Sequence, residues 1–186
     1  MIKTREDLHR YLESDRIALG IKRSKPSVLG DRIWKYERLM RYTEYWLNNS
    51  HKSLIHRIIY MFYLYRWKQD SFKLGNEIPL NAIDEGLALW HGRNIIINSK
   101  CKIGKNFGIS AGCVVGQAHG LVPTIGDNVS MTIGSKVLGG ITICNNVTIG
   151  ASALVLKSVT EEYVTLGGIP AKILSHQDSK EQLIKG

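Results

Sequence analysis

The sequence has few cysteines and no long apolar run, and each scarcity excludes a class of protein. Three cysteines, at 101, 113 and 144, are odd in number and lack the spacing of zinc ligands, so we predict buried small side chains rather than disulfides or a metal site. The most apolar run, residues 58–65, is far shorter than the roughly 20 residues of a membrane-spanning helix. The first residues turn acidic at once and lack the apolar segment of a signal peptide. These features predict a cytoplasmic protein with no transmembrane segment.

The net charge of +9 is compatible with an anionic partner. Basic residues concentrate in residues 1–73, but no run of five occurs and no nucleic-acid motif accompanies them, so we expect no nucleic acid partner. The simplest interpretation of these basic residues is that they lie on solvated faces of helices. The aromatic and methionine residues of the same region predict core or a subunit contact, with a surface peripheral to the membrane as the alternative.

Helix-like spacing of apolar residues fills the first part of the chain. Residues 31–47 repeat apolar side chains at intervals near three and four, residues 52–68 suggest a second helix, and the stretch before them is less clear. Pro26 and neighbouring glycines predict a loop around residues 24–27. The character of the sequence changes near residue 75. We therefore predict an α-helical N-terminal domain over residues 1–74.

From residue 95 onwards the sequence has a period of six. Neither a helix nor a flat strand has this period, whereas a coil of three short strands joined by tight corners does. We expect Gly and Asn to occupy corners that need positive φ, and a β-sandwich is the alternative. The ten lead positions, all aliphatic or Met, are Ile97, Ile103, Ile109, Val115, Ile125, Met131, Val137, Ile143, Ile149 and Val155.

One excursion breaks the period. Residues 117–124, with the sequence QAHGLVPT, interrupt the coils between Val115 and Ile125. Functional residues concentrate on loops that a rigid scaffold positions, so this segment is a candidate site.

The hexads, together with the segments WHGRNIIIN (residues 90–98), CKIGKN (residues 101–106) and GGIPAKI (residues 167–173), resemble the hexapeptide acyltransferases. The similarity is to the serine acetyltransferase branch, which includes O-acetyltransferases of exopolysaccharide and capsule synthesis. It is strong over residues 75–175 and weak over residues 1–74. It implies a mainly β fold, a left-handed parallel β-helix over residues 75–175 with a tail at residues 176–186, acetyl-CoA as donor, and a homotrimer with sites between subunits. The N-terminal helices would pair two trimers or touch a membrane.

The resemblance also implies roles for individual residues. His91 stands where the family keeps its catalytic base, and His119, in the excursion, is a second catalytic candidate. Asp15 is placed near the acceptor, with a helix cap as the alternative. The donor would lie along Gln117, Ala118, Ile133 and Ala151, with Lys172 at a phosphate of CoA. No metal is implied.

Two departures from the family pattern bear on the acceptor. The aspartate that precedes the catalytic histidine in serine acetyltransferases is Trp90 here, and the Arg-His-Pro of the loop is replaced by residues 121–123, Leu-Val-Pro. An indole cannot accept a hydrogen bond, but it can stack against a sugar ring. We therefore expect transfer of acetyl to a sugar hydroxyl in polysaccharide synthesis. The alternatives are a serine O-acetyltransferase of cysteine synthesis and a non-catalytic scaffold.

Overall fold

The computed structural model describes residues 1–176, in which three helices precede a parallel β-helix. The helices are α1 (Arg5–Ala18), α2 (Arg32–Asn49) and α3 (Leu54–Leu74). The strands are β1 (Ala88–Trp90), β2 (Ile96–Ile97), β3 (Lys102–Ile103), β4 (Gly108–Ser110), β5 (Val114–Gly116), β6 (Thr124–Ile125), β7 (Ser130–Met131), β8 (Lys136–Leu138), β9 (Thr142–Ile143), β10 (Val147–Ile149), β11 (Leu154–Val155), β12 (Val164–Gly167) and β13 (Lys172–His176). The predicted fold class is confirmed. All but the first residue of the predicted tail lies outside the described residues.

Local signals explain where the helices begin and end. Thr4 and Asp7 form a reciprocal capping box that starts α1, a helix whose extent the sequence pattern left unclear. Ser53 caps the start of α3, and Gly75, at a φ of 69°, ends it. Within residues 1–176 no helix is long and apolar enough to cross a membrane.

Three parallel sheets form the sides of the β-helix. The first sheet has the order β1-β4-β7-β10-β12-β13, with β13 antiparallel to β12, the second has β11-β8-β5-β2, and the third has β3-β6-β9. All ten lead positions lie in strands and are buried, with Ile97 paired to Val115 and Val115 to Val137. The hexad prediction is therefore confirmed, because each coil stacks its aliphatic residues on the next.

The glycines that follow the lead residues serve close packing and are not the corner residues with positive φ. A Cβ at Gly104 would come within 2.8 Å of the backbone oxygen of Gly126, and one at Gly150 within 2.8 Å of the carbonyl oxygen of Leu166. Neither glycine has positive φ. The left-handed conformation falls instead on other corner glycines and on the asparagines Asn94, Asn106, Asn128 and Asn146.

Buried carboxylates of the helices cover the free edge of β1. Asp15 accepts hydrogen bonds from the N–H groups of Gly86 and Leu87 at 2.9 and 2.8 Å, and Glu37 accepts from Leu89 at 2.7 Å. These amides would otherwise lack partners, since β1 ends its sheet. Arg41 pairs with Asp15 at 2.8 Å. The helices therefore close the first end of the β-helix.

Candidate active site

His91 lies in an enlarged corner between the first and second sheets. The buried residues Leu89 and Ile97 flank this corner at an interval of eight, whereas the corresponding corners between Ile109 and Val115 and between Met131 and Val137 keep an interval of six. The two additional residues move the corner outward, and His91 itself has a φ of 57°. This longer interval precedes the clear hexads, which begin at Ile97, so the repeat pattern does not include it.

The end of α3 anchors the corner. The Asn76 side chain donates to the carbonyl of Gly92 at 2.9 Å and accepts from the N–H of Ile95 at 3.0 Å. The carbonyl of Leu74 accepts from the N–H of Asn94 at 3.0 Å. A Cβ at Gly92 would come within 2.9 Å of Ile33, so the corner also packs closely on α2. The backbone that carries His91 is therefore fixed on both sides.

A cavity of about 730 Å³ opens beside His91, between α2, the end of α3 and the corner. Four cationic side chains and one carboxylate line it: Arg32, Lys35, Lys73, Arg93 and Asp70. Asp70 and Lys73 lie 3.7 Å apart, and both are partly exposed. The cavity therefore suits a ligand that carries a carboxylate or phosphate, and Asp70 offers a place for an ammonium group.

The imidazole of His91 is exposed and has no hydrogen bond or ion pair within residues 1–176. A neutral imidazole at this rim has a free nitrogen with which to accept a proton. The preceding Trp90 is half-buried at the end of β1, opposite Ser110, and is not among the residues that line the cavity. Its ring therefore gives little support for a stacked sugar.

His119 lies at a different corner, between the second and third sheets. It is exposed at the tip of the excursion, where Ala118 and Leu121 exchange two backbone hydrogen bonds of 3.0 Å. The two histidines are therefore not brought together within one chain.

The predicted donor-binding residues divide between corners. Ile133 and Ala151 are exposed in the corner row that begins with Arg93, in which the Ser152 N–H donates to the Ile133 carbonyl at 2.9 Å. Gln117 and Ala118 belong to the corner of His119. The fifth candidate, Lys172, is exposed in β13 beside a shallow cavity that Lys157 and Glu161 also line. Of these five residues, only Ile133 and Ala151 lie along the same edge of the β-helix as His91.

Asp15 cannot contact a substrate, which corrects its predicted role. It is 2% exposed, and its oxygens accept hydrogen bonds from Arg41 and from the N–H groups of Gly86 and Leu87. It lies within α1 and is not a helix cap either. The carboxylate is part of the structure that closes the β-helix.

The residues that the sequence analysis missed are Asn76 and the cations of the cavity. Asn76 comes directly after the cap of α3, and Arg93 lies in the enlarged corner, so a search for irregular hexad intervals would have drawn attention to both. Arg32 and Lys35 belong to α2, and only the packing of that helix brings them to His91.

Cys101 and Cys113 are buried and Cys144 is half-buried, all as free thiols. Burial raises the pKa of Cys101 and Cys144, which keeps both thiols protonated. Among residues 1–176 no group of three or more His, Cys, Asp or Glu side chains could hold a metal ion.

In comparison with known proteins, the chain is similar to serine acetyltransferases in sequence and in fold. No family model matches the chain. A serine acetyltransferase of Staphylococcus epidermidis is 40% identical over 114 residues, which cover 57% of this chain and 52% of the relative. One from Staphylococcus xylosus is 42% identical over 117 residues, covering 59% and 52%. The chain thus spans about half the length of the curated relatives it matches.

Solved structures share the fold. Serine acetyltransferase from Brucella abortus superposes with a TM-score of 0.72 at 22% identity, covering 94% of this chain and 72% of that one. The enzyme from Vibrio cholerae gives a TM-score of 0.73 at 20% identity, covering 96% and 70%. A serine acetyltransferase in complex with CoA gives 0.71 at 22%, covering 91% and 71%.

The hexad coils and the helices that close them define a hexapeptide-repeat protein, and its relatives at 40 and 42% identity are serine acetyltransferases. Within that class the chain is serine acetyltransferase-like, as its sequence resemblance indicated.

The expectation of a sugar acceptor in polysaccharide synthesis is wrong. The relatives at 40 and 42% identity are serine acetyltransferases, which favours the serine alternative. The expectation depended on Trp90 and on the Leu-Val-Pro of the loop, and Trp90 is half-buried in β1 rather than part of the cavity wall.

Proposed function

We propose that the chain is an acetyl-CoA-dependent serine O-acetyltransferase, with His91 as general base. The observation that carries the proposal is an exposed imidazole, without a partner among the described residues, at the rim of a cavity lined by both cationic and anionic side chains. His91 takes the proton of the serine hydroxyl as the oxygen attacks the thioester carbonyl. The tetrahedral intermediate then expels the CoA thiolate, which takes the proton from the imidazolium. The products are O-acetylserine and CoA, and the reaction serves cysteine synthesis.

The charges of the cavity support serine as the acceptor. Serine carries a carboxylate and an ammonium group, and the cavity presents Arg93 and Arg32 for the first and Asp70 for the second. The excursion holds Leu121 where the family pattern has an arginine. Arginines of the cavity therefore supply a positive charge that the loop lacks.

The donor site and a homotrimer are proposed together. The outer face of the second sheet is mainly apolar, with Ile96, Val114, Leu138 and Leu154 partly exposed, and it carries one exposed cation, Lys136, between Val114 and Leu154. This face lies between the corner of His91 and the corner of His119. Packing such faces around a threefold axis would place His119, Gln117 and Ala118 of one chain beside His91 of another. Acetyl-CoA would then lie between chains, along Ile133 and Ala151, with Lys172 at a phosphate. The cytoplasmic location of the protein stays a prediction.

Thiol release from acetyl-CoA tests the proposal. We expect release with L-serine but not with L-alanine, which lacks the hydroxyl group, and a loss of at least about 100-fold in kcat for His91→Ala. His51→Ala is the matched control, since His51 is exposed in the turn before α3. Release that L-serine fails to stimulate, or that His91→Ala leaves intact, would reject the proposal.

A further inference from the structure

Helix α3 exposes a row of large apolar side chains along its length. Seven of them, between 56 and 87% exposed, form what we call the α3 apolar arc: Leu54, Ile55, Ile58, Met61, Phe62, Tyr65 and Phe72. The opposite side of α3 packs inward, with Trp67 and Ser71 buried. At about 100° per residue, the seven side chains fall within roughly 120° of the helix circumference. Contiguous apolar patches of this kind mark interaction surfaces.

Cations border the arc on both sides. By the same helical geometry, Arg57 and Lys68 lie along one border and Arg66 and Lys73 along the other, and all four are exposed. Asp70 is the one carboxylate of the helix, and it faces the cavity of His91, where it pairs with Lys73. The exposed side of α3 is therefore apolar in the middle, apart from Gln69 between Tyr65 and Phe72, and positive at both edges.

The surrounding helical region has the same sign of charge. Residues 1–74 contain 16 Lys and Arg but only 8 Asp and Glu. Three of these acids, Asp15, Glu37 and Glu44, and one of the cations, Arg41, are buried and present no charge to an outside partner. The positive potential around α3 is therefore even stronger than the residue counts indicate.

This pattern disfavours a second copy of α3 as the partner. Two arcs packed face to face would bring the bordering cations of both helices together, and along α3 only Lys73 has a carboxylate, Asp70, to pair with. An anionic bilayer matches both the apolar middle and the positive edges of the exposed side of α3. The apolar side chains enter the boundary between headgroups and acyl chains, and the flanking Lys and Arg reach the lipid phosphates.

We propose that the α3 apolar arc binds the surface of an anionic membrane. The helix lies in the plane of the interface and does not cross it. Each bordering cation adds to the affinity through the negative surface potential, so binding depends on the fraction of anionic lipid and weakens with salt. The proposal is independent of the reaction, because none of the seven residues of the arc lines the cavity of His91.

Co-sedimentation of the full chain with vesicles tests the proposal. The vesicles are phosphatidylcholine alone or with about one-third phosphatidylglycerol. We expect binding to the mixed vesicles at least about tenfold tighter than to phosphatidylcholine alone, and suppressed at high salt. Arg57→Gln should weaken the binding about fivefold, and the double variant Ile58→Ser/Phe62→Ser should abolish it.

A matched variant controls for the loss of exposed apolar surface. Val28→Ser/Leu29→Ser removes two side chains that are 88 and 94% exposed in a loop outside α3, and it should bind vesicles like the unaltered chain. Thermal unfolding and serine-dependent thiol release verify that each variant is folded. Equal binding to both vesicle types overturns the proposal. If Ile58→Ser/Phe62→Ser instead changes the oligomeric state, and no chain binds vesicles, the arc is a contact between copies.

Discussion

The side chain of Asn76 holds the corner of His91 closed by donating to the carbonyl of Gly92 at 2.9 Å. The same side chain accepts from the N–H of Ile95 at 3.0 Å. Asn76 and Gly92 are both buried, so water cannot replace the bond without opening the packing between α2 and the corner. Asn76 is therefore a positioning residue for the proposed base.

Asn76→Ala should lower kcat by about 10- to 100-fold with a smaller change in the KM for acetyl-CoA. The substitution leaves two buried backbone groups unpaired, which costs about 1–3 kcal/mol and lets the corner move. Steady-state thiol release measures the kinetics, and urea unfolding measures the stability. Asn145→Ala is the control, because Asn145 bonds Asp127 and Glu162 at another corner. An unchanged kcat with lowered stability would show that Asn76 only stabilises the fold.

The β-helix was predictable because its signal is local and repeated. Each lead residue, such as Val115 or Met131, packs on its equivalents in neighbouring coils, and the period of six records that stacking directly. No comparable pattern in the sequence indicates how the helices close the first coil. Asp15 reaches the N–H of Leu87 across 72 positions, and a carboxylate in a helix looks the same in the sequence whether it faces water or the edge of a strand.

The candidate site was predictable only in part, for the same reason. His91 was found through a motif in its own segment. Arg32 and Asp70 come from two separate helices, and their position beside His91 depends on how α2 and α3 pack on the corner. The acceptor was wrongly predicted because the identity of Trp90 was visible in the sequence, whereas the burial of its ring was not.

Glu37→Gln should raise stability at alkaline pH. Burial, with the nearby charge of Asp15 as a further cause, raises the pKa of Glu37 well above its usual value. A carboxyl whose pKa is higher in the folded state costs nothing when both states are protonated, and it destabilises the protein as the pH rises above the pKa of the unfolded chain. Glutamine keeps the oxygen that accepts from Leu89 and cannot ionise.

Urea unfolding at pH 4 and pH 8 checks the effect of Glu37→Gln. The variant and the parent chain should differ little at the lower pH, and the variant should be the more stable at the higher pH. Glu77→Gln, at an exposed position just after α3, is the control for a general effect of removing a carboxylate. An equal gain at both pH values would contradict the assignment.

Arg41→Met should destabilise the fold by about 3–5 kcal/mol. The guanidinium is fully buried and bonds Asp15, Glu44 and the carbonyl oxygens of Ile83 and Asp84. Its removal leaves two buried carboxylates without their cation. The double variant Asp15→Asn/Arg41→Met should recover part of the loss, since asparagine still accepts from Gly86 and Leu87 without bringing a charge. Chemical unfolding of the single and double variants measures the coupling, and simple additivity would show that the pair is not coupled.

Gly104→Ala should cost about 1–3 kcal/mol although Gly104 does not have positive φ. A Cβ there would press on the backbone of Gly126 at 2.8 Å, and backbone in a stacked coil cannot turn aside as a flexible side chain can. Gly30→Ala is the matched control, since Gly30 also lacks positive φ and a Cβ there would meet only Ser27, at 3.8 Å. It should be neutral or slightly stabilising, because alanine restricts the unfolded chain more than glycine does. Thermal unfolding of the two variants measures the change in stability that each substitution causes. If they lose stability equally, close packing between coils is not the reason for glycine at this position of the hexad.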